Sequence, residues 1–401
     1  MKLPHRKLYR AYDPARELTT LVVCVSIALS IIFGLLIIII QRIFCPIVLL
    51  RISPLNSIHF GHMLLEIDWY LSQKRIKRFD FFFFTSVKKV NSYLEKIIRD
   101  KVKVTPRVLL FGAYLFNRML PGGAKYIINL PSESYNFEVF DQSPTQFALS
   151  SEEEKIGLTV LANLNISPDQ KIVCMYVRDE AYSRVRFPKI DQNFSSYRNS
   201  NFVDFTESIK YLISQGYVVI RMGRIAKNQI DFRSPNFIDY CFSENQSDFA
   251  DFYLTYRSEF AICTDTGMTH LPLFMRKPIG LVNISGMHGL LHTKLVKFIT
   301  LKKYIIAGSN LTLSEIFENN LDKLSDFTEF RDKGIKFIDS EPSELLGITV
   351  DMHNECTSKS PEAMDEYSKK FHEILARYRE IPFHSKVSKV WASNNLEFLN
   401  D

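Results

Sequence analysis

Hydrophobic and polar positions change their period several times along the chain. From Leu18 to Ile40 the run LTTLVVCVSIALSIIFGLLIIII carries no charge, and more than 20 such residues at 1.5 Å each cover a hydrocarbon core of about 30 Å. This predicts a transmembrane or deeply inserted helix. The apolar piece that follows, IFCPIVLL (43–50), is too short to span. It lies in the interface or lets the chain re-enter, with Pro46 as the bend. In SPLNSIHFGHMLLEIDWYLSQKR (53–75) the residues Met63, Leu64, Ile67, Tyr70 and Leu71 recur at helical spacing, so a loop leads into an amphipathic helix. FDFFFFT (79–85) reads as a buried strand and VKKVNSYLEKIIRD (87–100) as the next helix. KVTPRVLLFGAYLFNRML and KYIINL continue the rhythm less clearly, and the loop NISPDQ (165–170) closes a first domain.

Beyond that loop strands and helices alternate plainly. KIVCMYVR (171–178) is a strand, NFVDFTESIKYLISQG (201–216) a helix ended by Gly216, and YVVIRMG (217–223) a strand. NFIDYC (236–241) is a strand, SDFADFYLTYR (247–257) a helix capped by Ser247, and EFAIC (259–263) a strand. After the loop Thr264-Asp265-Thr266-Gly267, HLPLFM (270–275) starts a helix and PIGLVN (278–283) is a strand. Such alternation predicts an α/β fold with a doubly wound parallel sheet. In the tail, SPEAMDEYSKKFHEILARYREI (360–381) reads as a helix with Ser360 as cap, Pro361 at its first position and a stripe of Met364, Tyr367, Phe371, Ile374 and Tyr378. The organisation expected is a basic tail (1–17), a membrane anchor (18–50), two Rossmann-like domains (51–168 and 169–355), and a terminal helix and tail (356–401).

Composition adds bounds. At 401 residues the chain suits two domains, and 46% hydrophobic with 23% charged residues is ordinary for a globular protein. The net charge of +6 is scattered, without the basic run of a nucleic-acid tail, so no nucleic-acid partner is expected. The six cysteines show no CxxC or Cys/His metal spacing and read as reduced and packed, with no metal site and no cofactor. GxGxxG, GxxxxGK[ST] and GxSxG are all absent, which counts against dinucleotide oxidoreductases, P-loop ATPases and α/β hydrolases. Lys2, Arg6, Lys7, Arg10 and Arg16 precede the apolar helix and Arg42 and Arg51 follow it. The positive-inside rule then leaves the amino terminus in the cytoplasm and the remainder outside, unless 43–50 returns the chain. No signal-peptide cleavage site interrupts the run.

Candidate chemistry gathers at strand ends. The loop Thr264–Gly267 sits between a strand and a helix amino end, where free N–H groups favour an anion such as phosphate. The alternative is that Thr264 or Thr266 only caps the helix. Arg178 and Asp179 leave the first strand of the second domain, where an arginine can hold a diphosphate by two contacts; an ion pair between the two, or with a neighbour, is the other reading. Arg221, Gly223 and Arg224 end the next strand, with Gly223 allowing close backbone approach or simply making a turn. His59 and His62 flank the start of a first-domain helix and are candidate bases, with Glu66 and Asp68 behind them.

At these residues a resemblance emerges. TDTGMTHLP is similar to the donor-site segment of bacterial heptosyltransferases, which implies that His270 joins the donor site. VCMYVRDEAYS, YRNSNFVDFTESIKYLISQGYVVIRMG, FIDYCFSENQSDFADFYL and CTDTGMTHLPLFMRKPIGLVN together resemble a family of bacterial glycosyltransferases from surface-polysaccharide gene clusters. RISPLNSIHFGHMLLEIDWYL resembles that family's amino-terminal signature, and VRD is similar to the arginine motif of inverting fucosyltransferases. The resemblance covers roughly residues 50 to 380. It implies a GT-B-like architecture, metal-independent sugar transfer from a nucleotide-sugar donor, and a surface-polysaccharide or lipid-linked glycan acceptor. Met268-Thr269 stand where heptosyltransferases tend to carry Pro-Met. Two other classes stay open: a non-catalytic nucleotide- or sugar-binding membrane protein, and a lumen-facing Golgi-type transferase. The sequons at Asn165, Asn193, Asn245, Asn283 and Asn310 favour the latter, although Asn165 and Asn283 adjoin strands expected to be buried. The placement expected is a bacterial inner membrane with the catalytic part on the cytoplasmic side. Deleting residues 1–52 is expected to leave a soluble, folded part.

Overall fold

The structure is a computed structural model that describes residues 20–73, 79–86, 90–130, 137–189, 191, 193–287, 290–358, 363–380 and 383–400. The basic tail (1–17) and the cap Ser360-Pro361 lie outside the described residues. The chain divides into two compact units, Met1–Tyr135 and Asn136–Asp401. Residues 136–168, assigned above to the first domain, thus belong to the second unit.

The first unit runs α1 (Thr20–Phe44), β1 (Leu50–Leu55), α2 (Phe60–Ser72), β2 (Phe79–Phe84), α3 (Ser92–Lys101), β3 (Lys103–Val104) and α4 (Arg107–Met119). The strands form a parallel sheet in the order β1-β2-β3, in register from Leu50 opposite Phe79 to Leu55 opposite Phe84. Helix α3 starts later than its apolar spacing suggested because the Asn91 side chain caps it, accepting from the Leu94 amide at 2.8 Å. The piece 43–50 bends at Pro46, as expected. It divides into the last turn of α1, a tight turn and the first residue of β1.

Helix α1 is long and apolar enough to cross a membrane over Val25–Phe44, yet it is also packed on its own unit. Gly112 on α4 meets it backbone to backbone, for a Cβ there would stand 1.9 Å from the Ser30 carbonyl oxygen. The Gly112 amide donates to Ser30 Oγ (3.0 Å), Asn117 Nδ2 to Gln41 Oε1 (2.7 Å) and Gln41 Nε2 to the Leu50 carbonyl (3.1 Å). Ile38 joins Ile52, Phe83, Leu110 and Ala113 in one buried cluster. A cut after residue 52 therefore severs β1 and strips a packed helix from α4, so the expected soluble truncation is not supported by this packing.

The second unit comprises α5 (Glu138–Asp141), α6 (Ser151–Asn163), β4 (Lys171–Tyr176), α7 (Ala181–Arg186), α8 (Thr206–Ser214), β5 (Tyr217–Arg221), β6 (Phe237–Asp239), α9 (Asp248–Arg257), β7 (Ser258–Cys263), α10 (His270–Phe274), β8 (Ile279–Ile284), β9 (Val296–Leu301), β10 (Lys303–Ile306), β11 (Ser309–Asn310), α11 (Leu313–Glu318), α12 (Phe327–Asp332), β12 (Lys336–Ile338), α13 (Pro342–Thr357), α14 (Glu366–Tyr378), β13 (Lys386–Val387) and α15 (Lys389–Asn394). Seven strands form one sheet in the order β13-β9-β8-β7-β4-β5-β6, every neighbouring pair parallel. β5 and β8 are buried along their whole length, which is why they read as continuous apolar runs.

Helices cover both faces. α8 and α13 bury Ile209, Leu212, Leu345, Ile348 and Met352 against Val173, Val219, Phe260 and Ile262. On the other face α9 receives Cys174, whose thiol donates to the Leu254 carbonyl at 3.7 Å, and Tyr176, whose hydroxyl lies 2.5 Å from Thr255 Oγ1. Helix α13 had no counterpart in the sequence reading, yet it is the unit's longest helix among the described residues. It lies so close to the sheet that a Cβ on Gly280 would come within 2.9 Å of Met352. A small antiparallel sheet, β11-β10-β12, carries the ring cluster Tyr304, Phe330 and Phe337, on which Tyr197 packs. In the tail, α14 is capped by Asp365 and leaves Met364 outside it; its buried face is Ser368, Phe371, Ile374 and Leu375.

Candidate functional site

The strand order reverses between β4 and β7. β5 and β6 lie to one side of β4, while β7, β8 and β9 lie to the other. Loops leaving the carboxyl ends of these two strands therefore diverge, and the space at such a switch point is where doubly wound sheets bind ligands. The residues there are Arg178 after β4 and Thr264–Gly267 after β7. A direct contact joins them: the Arg178 amide donates to Thr264 Oγ1 at 2.9 Å. Thr264 is fully buried, and its amide donates to the Tyr176 carbonyl at 2.9 Å. It therefore acts as a latch between the strand ends. Thr266 caps the 3₁₀ turn Gly267–Thr269, its hydroxyl accepting from the Met268 amide at 3.4 Å. His270 opens α10, a helix of only five residues, so its dipole is slight beside that of a long helix.

The cations described at this edge differ in whether a carboxylate holds them. Arg198 Nη2 donates to Asp265 Oδ1 (2.7 Å) and its Nε to the Asp265 carbonyl (3.2 Å), so Asp265 holds an arginine. Lys302 pairs with Asp339 at 2.7 Å and donates to the Asn199 carbonyl at 2.5 Å. Burial lowers the Lys302 ammonium pKa, against the pull of Asp339. Arg178 has no carboxylate partner among the described residues. Its Nη2 donates to Ser195 Oγ (2.6 Å) and Ser183 Oγ (3.4 Å), while its buried Nε has no partner among the described residues. Burial, then Arg198, lowers its pKa to about 10. A desolvated cation held by two neutral hydroxyls is poised to receive an anion. Ser285 Oγ, just beyond β8, and Asn199 Oδ1 are also buried without a hydrogen-bond partner among the described residues.

Asp179, which a direct pair with Arg178 would have required, turns away. Its Oδ1 accepts from the Ala181 amide and its Oδ2 from the Lys227 amide, both at 2.8 Å.

A scan against protein-family models finds no match to this chain, and a search of curated proteins finds none either. Among solved structures it is similar to ADP-heptose lps heptosyltransferase II of E. coli, at 11% identity and a TM-score of 0.37, over 58% of this chain and 84% of that one. It is also similar to a family 9 glycosyl transferase of Veillonella parvula (10%, TM-score 0.38, 58% and 80%). A third likeness is to the iron-containing dodecameric glycosyltransferase TibC of enterotoxigenic E. coli (11%, TM-score 0.39, 77% of each chain). At these scores the likeness carries no argument about activity.

Arg221 and Arg224, expected at the donor site, are committed elsewhere. Arg221 is buried, donates to the Asn228 carbonyl at 2.8 Å, pairs with Asp239 at 3.3 Å and lies over the Phe202 ring at 4.2 Å. Arg224 bonds Asp248 and, at 3.0 Å, Asp251. Gly223 has φ +144 and its missing Cβ would meet Cys241 Sγ at 2.9 Å, so a turn against that thiol explains it. A hollow of about 600 Å³, lined by Thr145, Phe147, Ser150, Glu154 and Tyr256, involves the start of α6 and the end of α9. Since α9 runs back to the amino end of β7, this hollow lies at the opposite edge of the sheet.

In the first unit the carboxyl edge of the parallel sheet carries the other candidates. His62 is the third residue of α2 and exposed; its ring sits edge-on to that of His59 at 5.7 Å. Glu66 is buried and accepts from the Asn56 amide at 2.7 Å, holding the loop after β1, so it is better suited to shaping that loop than to taking a proton. Asp68 is buried and accepts from Ser72 Oγ at 3.3 Å. Ser195, Arg198 and Lys302 were not found from the sequence. The first two lie in a segment without apolar period, and only the tertiary fold brings Lys302 beside Asn199.

Proposed function

We propose that the chain is a GT-B-type glycosyltransferase, attached to a membrane by α1, that moves a sugar from a nucleoside-diphosphate donor to a glycan or lipid-linked acceptor. The observation that carries this reading is Arg178: a buried guanidinium, with no carboxylate partner among the described residues, at the switch point of a doubly wound sheet. The donor's diphosphate is assigned to Arg178 and the amides of Thr266 and Gly267. His62 is assigned as the base. In the transfer step a base takes the acceptor hydroxyl proton as that oxygen bonds the anomeric carbon. The bond from that carbon to the diphosphate oxygen breaks, and the diphosphate leaves with the electron pair. Arg178 stabilises the charge that develops on it, so no metal is required. The catalytic part is assigned to the cytoplasmic face, where nucleotide sugars are made.

The test is titration of the full-length protein in detergent with ADP, UDP, GDP and the matching monophosphates, followed by turnover of the nucleotide sugar whose diphosphate binds. A diphosphate is expected to bind at least about tenfold tighter than its monophosphate, because the charged contact is lost with the second phosphate. Equal affinities would overturn the assignment of Arg178. Binding without turnover would leave a nucleotide-binding membrane protein.

A further inference from the structure

Helix α1 presents two different surfaces. One side is closed by α4 through Gly34 and Gly112 and by the hydrogen bonds of Ser30 and Gln41. The rest of its circumference is apolar and exposed, from Val25 and Leu29 through Leu36 and Ile40 to Phe44. That apolar surface does not stop with α1. On α4, Leu115 and Met119 are exposed, Met119 to 79%, and Ile47 beyond the end of α1 is exposed to 82%. Gln41 meets Asn117, so the carboxyl ends of α1 and α4 lie side by side. Cations gather at that shared end: Arg42 and Lys125 lie over the Tyr126 ring at 5.6 and 5.0 Å, and Arg118 over Tyr114 at 5.9 Å.

We infer that α4 enters the bilayer interface together with α1, so that the first unit is embedded in the membrane through a two-helix surface instead of hanging from a free tether. The inference rests on the membrane placement of α1 proposed above, and not on sugar transfer. Three observations select lipid over a protein partner. The exposed apolar surface extends around α1 on all sides but the one α4 covers, whereas a partner helix buries a single stripe. The pairing of α1 with α4 uses small residues and inward hydrogen bonds, the means by which helices associate where lipid offers polar groups nothing. The cations at the shared end match anionic headgroups. Because α4 lies beside the Ser30–Gln41 half of α1, a bilayer that takes in that half must also take in the outer face of α4.

The experiment is photolabelling of the full-length protein in vesicles of phosphatidylethanolamine and phosphatidylglycerol with a lipid-soluble diazirine, read by peptide mass spectrometry. Label is expected in 107–120 as well as 25–44, each at least about fivefold above that in α6, a surface helix of the second unit, since only lipid-exposed side chains meet the probe. Replacing Leu115 and Met119 together by Glu is expected to reduce the label in 107–120 while α1 keeps its own. Label confined to 25–44 would overturn the inference and leave α1 as a simple anchor. Label in neither segment would overturn the membrane placement itself.

Discussion

Replacing Arg178 by methionine should make the free protein more stable and its diphosphate binding weaker. Burial, then Arg198, lowers the guanidinium pKa to about 10, which disfavours the charged form in the unliganded fold by on the order of 3 kcal/mol. The substitution keeps most of the side-chain volume, so little cavity cost arises. It forfeits the bonds to Ser195 and Ser183, of which the first is good and the second long, together about 1–2 kcal/mol. The balance is a gain of about 1–2 kcal/mol. The same change removes a charge-assisted contact worth about 1.5–3 kcal/mol, or about 10- to 150-fold in affinity. Thermal unfolding of the full-length protein in detergent, with and without the diphosphate that binds best, reads both effects. The variant should melt higher alone and lose most of the ligand-induced rise. A variant that melts lower and keeps that rise would show Arg178 to be an ordinary structural arginine.

Three further outcomes are expected. His62→Ala should lower turnover by about 10² to 10⁴ while donor affinity, read by calorimetry, stays unchanged; a parallel loss of donor affinity would make the histidine structural. Gly112→Ala puts a methyl 1.9 Å from the Ser30 carbonyl, so α1 must move out by about 1.5 Å and lose its bond to the Gly112 amide, destabilising the first unit by about 2–4 kcal/mol. Leu115→Ala on the exposed face is the control, with unfolding in detergent as the readout. Burial raises Asp251 to about 7, against the pull of Arg224. Below the ordinary carboxylate range both folded and unfolded states hold this proton, and between about pH 4 and 7 only the folded state does. Stability should therefore fall as pH rises through that window, by on the order of 4 kcal/mol. Asp251→Asn should flatten the fall, as measured by urea midpoints at several pH values.

The alternation of apolar runs and helical stripes was enough to locate β4, β5, β7 and β8 with α3, α8, α9 and α10, because strands buried on both faces are apolar throughout and need no partner to be recognised, and it located β2 although that strand is only partly buried. The same logic exposed α1. It missed α6, α7 and α13, the last of which lies against the sheet at Gly280 opposite Met352 and against α15 at Gly347 opposite Val390, two close approaches made by residues far apart in the chain. The Asn283 amide is buried and bonded to Ser200, which bars a glycan there, whereas Asn165 is exposed at φ +55.

The site divides along the same line. Sequence alone determined that Arg178 and Thr264–Gly267 leave strands at their carboxyl ends, since that follows from local period and chain direction. Strand order is a long-range property, and only the tertiary structure decided that β4 and β7 are neighbours and that the order reverses between them. It also decided which cations are spent. Among the described residues, Arg221, Arg224, Arg198 and Lys302 each meet a carboxylate brought from another part of the chain, and Arg178 meets none. Whether a charge is paired depends on what folding places within about 4 Å of it, and no local pattern encodes that.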